Sequence, residues 1–266
     1  MRVGKLAVVL LTGVLCLIGG ARAQFNEGGR TPDHATAGHP PEAEFHMGRL
    51  AYYALGCAGS RGWCNPWWAI DYPLAEAHFL PALARMTRVQ VADDSRAVTL
   101  DDDALFDYPW IILQQPGRGE WHPHGEQAAR LREYLMRGGF LVVDDFHDEY
   151  EWASFQSAMQ EVLPDRPIID MSDDHPIFHV VFDLPEMTKV QIPNANSIGW
   201  GGRGGMRGTP RWRGVEDANG RLVILIAYNN DVMDGWQWAD DPRYPGDKAN
   251  LALRLGVNVA MYSMTH

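Results

Sequence analysis

Short apolar runs alternate with amphipathic stretches along the chain, and this alternation predicts an α/β fold. Runs rich in β-branched and aromatic residues, bounded by glycine, proline or polar residues, predict buried strands. They lie at 44–53, 108–115, 138–145 and 166–171, with a further extended piece at 87–93. Apolar residues at helical spacing predict helices at 69–87, 125–139, 152–164 and 247–264. Strands that alternate with helices are typical of a mainly parallel sheet.

The segment 108–145 carries the clearest architectural signal, a strand, a helix and a second strand in direct succession. A parallel crossover is the expected arrangement of such a unit. Near the C-terminal end, Asn219-Gly220 separates two extended runs and predicts a β-hairpin. Asp71 is predicted to cap the first helix, with Pro73 in its first turn.

The first 23 residues differ in composition from the rest of the chain. Arg2 and Lys5 precede an apolar run, and Ala21-Arg22-Ala23 has the small-x-small form of a cleavage site. We therefore predict a signal peptide at 1–23, a flexible leader at 24–43 and a single domain at 44–266. The mature protein is expected to be periplasmic or secreted, with no transmembrane anchor.

The net charge of the chain limits the kinds of molecule that it is expected to bind. The formal net charge is −11, and it would fall to −14 once the three basic residues of the signal peptide are removed. A protein this acidic does not attract nucleic acid or an anionic membrane through its overall charge. The partners that we expect are instead a cell-envelope protein or a carbohydrate.

Cys57 and Cys64 are the two cysteines that remain after removal of the signal peptide. Their spacing and an oxidising compartment favour a local disulfide. A zinc pair and a free catalytic thiol are the alternatives.

An acidic cluster follows the strand "FLVVDD" and is the main candidate site. Asp144, Asp145, His147 and Glu149 are the candidate catalytic residues, and Glu151 lies close by. Ligands gather beyond the carboxyl ends of parallel strands, where paired carboxylates can hold a divalent metal or raise one another's pKa for acid–base chemistry. The alternative is that one aspartate caps a turn while the others face water.

His122 and His124 follow another parallel strand at the same expected edge of the sheet. Together with Asp144 and Asp145 they would form a mixed oxygen and nitrogen site for zinc, manganese or iron. Pro123 marks the segment as a loop, where histidines are commonly only exposed. A divalent metal is thus a possible cofactor.

Three further features carry weaker functional signals. His175 and His179 lie in the motif "DHPIFH", for which we favour a structural role. The glycine- and arginine-rich segment 197–214 offers Arg203 and Arg207 to an anionic ligand, and the alternative is a surface lid or insertion. Tryptophans in polar loops can stack on sugars or pack in the core, and they are Trp63, Trp67, Trp68, Trp200, Trp236 and Trp238.

The chain resembles the bacterial family called domain of unknown function 4159 from about 44 to 266. The stretches that carry the resemblance are "FHMGRLAYY", "YPWIILQQ", "LREYLMRGGFLVVDDF", "DHPIFHVVFD" and "NLALRLGVNVAMY". The resemblance implies a class I glutamine amidotransferase-like fold, a three-layer α/β sandwich with a mainly parallel sheet. Trehalose-utilisation-type proteins resemble the chain more distantly. The resemblance implies no activity, because fold and function are separable.

Amidotransferases of this fold carry their nucleophilic cysteine directly after the strand that here reads "FLVVDD". This chain has Asp144, Asp145 and Phe146 there, which argues against cysteine-based glutamine hydrolysis. We predict a ligand-binding or protein-interaction domain of the cell envelope. The alternative is a metal-assisted hydrolase acting on a glycan or another polar substrate. An enzyme would require the loops 57–68, 114–126 and 144–151 to converge on one pocket.

Overall fold

The computed structural model describes residues 42–52, 66–118, 120–198, 206 and 208–266. Within these ranges seven strands form one sheet, namely β1 (Met47–Leu50), β2 (Arg96–Val98), β3 (Trp110–Gln114), β4 (Phe140–Phe146), β5 (Ile169–Asp170), β6 (Arg211–Glu216) and β7 (Leu222–Tyr228). The α-helices of the same ranges are α1 (Leu74–Met86), α2 (Glu126–Met136), α3 (Asp148–Val162), α4 (Val232–Gln237) and α5 (Gly246–Thr265). None of these helices is both long enough and apolar enough to cross a membrane.

The sheet has the strand order β2-β1-β3-β4-β7-β6-β5 and is mainly parallel, as predicted. Strands β2, β1, β3, β4 and β7 run in one direction, while β6 runs antiparallel to both of its neighbours. The predicted hairpin is the β6–β7 pair. Its turn contains Gly220 at φ 80° and is braced by the Asp217 carboxylate, which accepts a hydrogen bond from the backbone N–H of Asn219.

Helices cover both faces of the sheet, and this burial explains the uninterrupted apolar runs of its central strands. Side chains alternate along β3, so that Trp110 and Ile112 pack into one core while Ile111 and Leu113 pack into the other. The first core contains α1, α4 and α5, and the second contains α2 and α3. The predicted strand–helix–strand unit is the parallel crossover from β3 through α2 to β4.

The structure corrects three predicted elements. Asp71 does not cap the first helix, because α1 begins at Leu74 with Pro73 at its N-cap position. The extended piece at 87–93 contributes one isolated bridge, and the strand β2 lies further along the chain. Helix α3 begins at Asp148, four residues before the predicted start, so the acidic stretch after β4 is the first turn of a helix.

Residues 1–41 lie outside the described residues, so the signal peptide and nearly all of the predicted leader stay predictions.

An aromatic junction holds α4 in place against α1 and α5. Trp236 of α4 stacks on Phe79 of α1 with ring centroids 3.9 Å apart and an interplanar angle of 8°. The indole N–H of Trp236 donates a 2.9 Å hydrogen bond to the carbonyl of Ala252 in α5. At Gly256 of α5, a Cβ would lie 2.5 Å from both aromatic rings. The close approach of these helices therefore depends on glycine at position 256.

We predict that Gly256→Ala destabilises the protein by about 1–2 kcal/mol, because the added methyl group would push apart two stacked rings. This loss should appear although alanine is intrinsically the better helix former. Thermal unfolding would measure it. Gly246→Ala in the same helix is the matched control, since nothing lies within 4 Å of its new Cβ. Equal melting temperatures for the Gly256 variant and the wild type would contradict the prediction.

Candidate functional site

Three neighbouring parallel strands end at one edge of the sheet, and each has a residue in the left-handed backbone conformation near or just beyond its end. Just beyond β3, near the end of β4 and just beyond β7, Gln115, Asp145 and Asn229 adopt φ values of 47°, 52° and 54°. Hydrogen bonds link these strand ends, from the N–H of Gln115 to the carbonyl of Asp144 and from the N–H of Asn229 to the carbonyl of Phe146. Left-handed conformations at non-glycine residues cost free energy and tend to cluster at functional sites.

Five aspartates meet at this edge and are called the aspartate cluster below: Asp71, Asp144, Asp145, Asp231 and Asp234. Asp144 and Asp231 are fully buried, Asp145 and Asp234 are buried to within a few per cent, and Asp71 keeps some exposure. One carboxylate oxygen each from Asp71, Asp231 and Asp234 lie within 4.8 Å of one another. This grouping is the one that could hold a metal ion within the part of the chain that the structure describes.

The short helix α4 positions two members of the aspartate cluster. Asp231 is its N-cap, and its side chain accepts hydrogen bonds from the N–H of Asp234 at 2.8 Å and from the amide of Asn194 at 2.7 Å. Asp234 accepts from the N–H of Ala195 at 2.7 Å and from the indole N–H of Trp238 at 2.8 Å.

Asp144 and the β3 amides form the other half of the cluster. Oδ2 of Asp144 accepts a 2.9 Å hydrogen bond from the N–H of Met233, while its Oδ1 is buried and has no partner among the described residues. The Gln115 side chain donates to Oδ2 of Asp145, and the Gln114 side chain donates to Oδ2 of Asp71 at 2.9 Å. Within the described part of the chain, the side-chain oxygens of both glutamines are also buried without a partner. The described residues therefore supply few hydrogen-bond donors to this half of the site.

Burial is the main electrostatic influence on the aspartate cluster. It raises the pKa of Asp144 to about 7, with the charge of Asp145 adding to the effect. Burial and then Asp145 raise the pKa of Asp234 to about 6. The pKa values of Asp71 and Asp231 also lie well above the ordinary range, first through burial and then through neighbouring aspartates. At neutral pH the cluster therefore holds protons that exposed aspartates would have released.

Arg49 acts on Asp71 electrostatically but is already bound to another carboxylate. The Arg49 guanidinium lowers the pKa of Asp71, but it binds Glu76 with two hydrogen bonds of 2.6 and 2.8 Å. Both partners of this ion pair are buried. Arg49 therefore leaves most of the charge of the aspartate cluster uncompensated.

His147 joins the site through Asp145. Its Nε2 lies 2.8 Å from Oδ1 of Asp145, and its backbone N–H donates to Glu151 at 2.7 Å. Burial lowers the pKa of His147, but the hydrogen bond and charge of Asp145 outweigh burial, so the net shift is upward. Asp144, Asp145, His147 and Glu151 thus form one contiguous group. Their catalytic and metal-binding roles stay predictions.

Of the remaining predicted residues, those that the structure describes are not hydrogen-bonded to this group. His124 is exposed and its Nδ1 lies 3.1 Å from the carbonyl of His122. Among the described residues, no hydrogen bond or ion pair links either histidine to the aspartate cluster. Glu149 lines a neighbouring cleft. The predicted disulfide and several predicted ligand-binding residues lie outside the described residues: Cys57, Cys64, Trp63, Trp200, Arg203 and Arg207.

Two predicted sugar-binding tryptophans belong to the protein interior. Trp236 is 1% exposed within α4, and Trp238 is 9% exposed at the end of that helix. Packing therefore accounts for both residues. The motif "DHPIFH" is likewise structural in its middle, because Ile177 and Phe178 are buried and the His175 side chain accepts from the N–H of Ile177.

The sequence contained a signal for the missed half of the site. Each of the three central strands has a pair of polar residues at or just beyond its carboxyl end, and these pairs are Gln114-Gln115, Asp144-Asp145 and Asn229-Asn230. The third pair is followed at once by Asp231. This repeated strand-end pattern would have placed all three segments at one edge of a parallel sheet.

Comparison with known proteins places the chain in a family but assigns no activity. Residues 49–264 match the family described as "Domain of unknown function (DUF4159)". None of the curated proteins is similar to the chain.

The pKa of Asp144 predicts a pH-dependent stability. Because this pKa is raised from its ordinary value to about 7 on folding, the protonated carboxyl stabilises the folded state at low pH, and that stability is lost as the pH rises through 7. In EDTA, the wild-type melting temperature should therefore fall between about pH 4 and pH 7. Asp144→Asn should match the wild type near pH 4 and exceed it at pH 8, on the order of 2–4 kcal/mol.

Thermal unfolding at a series of pH values would measure this difference. Asp103→Asn, at a fully exposed side chain, is the control and should follow the wild type throughout. Parallel pH profiles for wild type and Asp144→Asn would contradict the prediction.

Proposed function

Because the chain belongs to the family described as "Domain of unknown function (DUF4159)", whose description states no activity, we propose its function from the site. The protein is a ligand-binding domain that holds a hard divalent cation at the carboxyl edge of its sheet. The observation that carries this proposal is the set of three carboxylate oxygens, from Asp71, Asp231 and Asp234, that lie within 4.8 Å of one another.

The geometry of these oxygens suits calcium. Calcium binds oxygen at about 2.3–2.6 Å, so oxygens on opposite sides of one ion lie roughly 5 Å apart. The three carboxylate oxygens fit within that limit. Ligands of this kind, all of them oxygen, favour calcium, magnesium or manganese over zinc. Calcium is the first choice among these ions. We predict a secreted or periplasmic location, and extracellular modules are known to use calcium sites of modest affinity.

The unpartnered oxygens of the site support a bound cation independently of the acidic residues. Oδ1 of Asp144 and the side-chain oxygens of Gln114 and Gln115 are buried and have no donor among the residues that the structure describes. A buried oxygen without a hydrogen bond costs about 1–3 kcal/mol. A cation with its bound water molecules would supply the positive charge and the donors that these groups need.

A purely structural role explains only part of the arrangement. Asp231 accepts from a backbone N–H in the first turn of α4, as helix caps commonly do, and Asp234 accepts from the backbone N–H of Ala195. That role accounts for both residues without a ligand. It does not account for Asp144, which is fully buried and whose Oδ1 has no hydrogen-bond partner among the described residues.

We also propose that the fold is of the class I glutamine amidotransferase-like type. The parallel order β2-β1-β3-β4-β7 supports this proposal, as does the left-handed φ of Asp145 at the end of β4, where such enzymes place their nucleophile. Asp144, Asp145 and Phe146 provide no thiol at that position. The more distant likeness to trehalose-utilisation-type proteins stays a prediction.

The Asp145–His147 pair supports a second candidate function, metal-assisted hydrolysis of a polar substrate. A carboxylate that binds one imidazole nitrogen orients the ring and makes it a stronger base. A water molecule on the cation would lose its proton to such a base more readily than bulk water does. His147→Gln should then abolish turnover in a hydrolase screen while leaving cation binding intact.

We predict that the wild-type protein, freed of metal, binds about one equivalent of calcium in a calorimetric titration. Asp231→Asn should weaken this binding about tenfold or more, because it removes a charged ligand from a buried site. Affinity should rise between pH 6 and pH 8, since the ion displaces protons from Asp144 and Asp234, whose pKa values are about 7 and about 6.

Asp240→Asn is the matched control for this titration, because its side chain is 81% exposed and lies just beyond α4. Circular dichroism would verify that each variant is folded. The proposal fails if calcium, magnesium and manganese at millimolar concentration produce neither heat nor a thermal shift.

A further inference from the structure

A second candidate site lies at the end of β7. A cleft of about 640 Å³ opens between β6, the end of β7 and the first turns of α3. Its volume lies in the range typical of small-molecule sites. Arg211 and Arg213 line it from β6, Asn229 lines it from the end of β7, and Asp148 and Glu149 line it from α3.

We infer that this cleft binds a sugar that carries one carboxylate, such as a uronic acid. The inference names the ligand of the proposed function, and it rests on that function only where it links the ligand to the cation. The charges, the hydrogen-bonding groups and the neighbouring cation site each support a part of it.

The β6 wall of the cleft carries more positive than negative charge. Arg211 and Arg213 are two residues apart on one strand and therefore face the same side. Both approach a single carboxylate, since Arg213 binds Asp170 at 2.9 Å and Arg211 lies 3.8 Å from it. The Arg211 side chain remains 51% exposed. A guanidinium in this position suits a carboxylate, which it can bind with two parallel hydrogen bonds.

Arg213 is held in place before any ligand arrives. Its guanidinium carbon lies 3.9 Å from the ring centre of Trp152 and 5.3 Å from that of Tyr228. Cation–π contacts and the Asp170 ion pair fix the side chain, so little conformational entropy is lost on binding. Because Arg213 covers one face of the indole, that face is not open for a sugar ring to stack on. Charge and hydrogen bonds, rather than stacking, therefore define the ligand.

The α3 wall of the cleft is acidic and prefers hydroxyl donors. The Asp148 carboxylate is anchored by hydrogen bonds from the N–H groups of Tyr150 and Glu151, and Glu149 lies beside it in the cleft. Carboxylates accept hydrogen bonds from sugar hydroxyls, and they repel a second negative charge. The two walls together favour a ligand with one carboxylate at one end and hydroxyl groups at the other. They disfavour phosphorylated ligands and polyanions.

The cleft and the aspartate cluster share the end of β7. Asn229 lines the cleft and donates a 3.1 Å hydrogen bond from its amide to the carbonyl of Thr209. Asp231, only two residues further, belongs to the aspartate cluster. The end of β7 therefore connects the two sites, and we expect a sugar in the cleft to change the affinity for the cation.

Titration of the full chain with D-glucuronate and D-galacturonate, followed by NMR or calorimetry, tests this inference. We expect either or both acids to bind, with glucose, galactose and acetate each at least about tenfold weaker, because a charge-assisted hydrogen bond contributes on the order of 1.5–3 kcal/mol. Arg211→Gln should weaken binding of the acid by a similar factor. Arg137→Gln, at an exposed side chain at the end of α2, should leave it unchanged.

Each titration would be run in EDTA and in calcium, with calcium binding measured separately on the same protein. Binding of the acid without binding of calcium would overturn the proposed function and leave this inference standing. Binding of calcium without binding of either acid would overturn this inference alone. Equal affinity for the acid and the neutral sugar, or an unaffected Arg211→Gln variant with wild-type melting, would also overturn it.

Discussion

The site depends on negative charge that is buried at one edge of the sheet. Carboxylates in such a place are stable only when they are protonated, hydrogen-bonded or matched by a cation. Backbone N–H groups around α4 and the glutamine side chains of β3 meet part of this need. Arg49 contributes little, because Glu76 already binds it. Part of the negative charge therefore remains uncompensated. Either the uptake of protons or the binding of a cation in this small region would stabilise the folded protein.

The hydrophobic pattern was sufficient to predict the fold class, since strands buried on both faces leave long apolar runs that are easily recognised. The hydrophobic pattern did not predict β2, because this strand has three residues of mixed exposure and is too short to show a hydrophobic period. Helix α4 is six residues long, too short for its periodicity to appear. Trp236 and Trp238 were therefore assigned to a polar loop, although both pack inside the protein.

The candidate site was predicted in part, for a reason that lies in the topology. Asp144 and Asp145 follow from the rule that ligands gather at the carboxyl ends of parallel strands. Asp231 and Asp234 join them only because β7 lies next to β4 in the sheet. No local sequence pattern shows that β7 pairs with β4, since β5 and β6 come between them along the chain. Asp71 was read as a helix cap because a short polar residue before a helical stretch usually is one.

The reversed direction of β6 has a consequence for how this protein can change. In the parallel strands, the working edge is where the chain leaves the sheet, whereas β6 enters the sheet at that edge and brings Arg211 and Arg213 with it. The short segment formed by Gly208 and Thr209 leads into β6 and lines the cleft without belonging to the central strands. Its composition can change while Asn194 and Ala195 continue to bind Asp231 and Asp234. Exchange of this one segment is the simplest route by which evolution or engineering could give the same scaffold a new specificity.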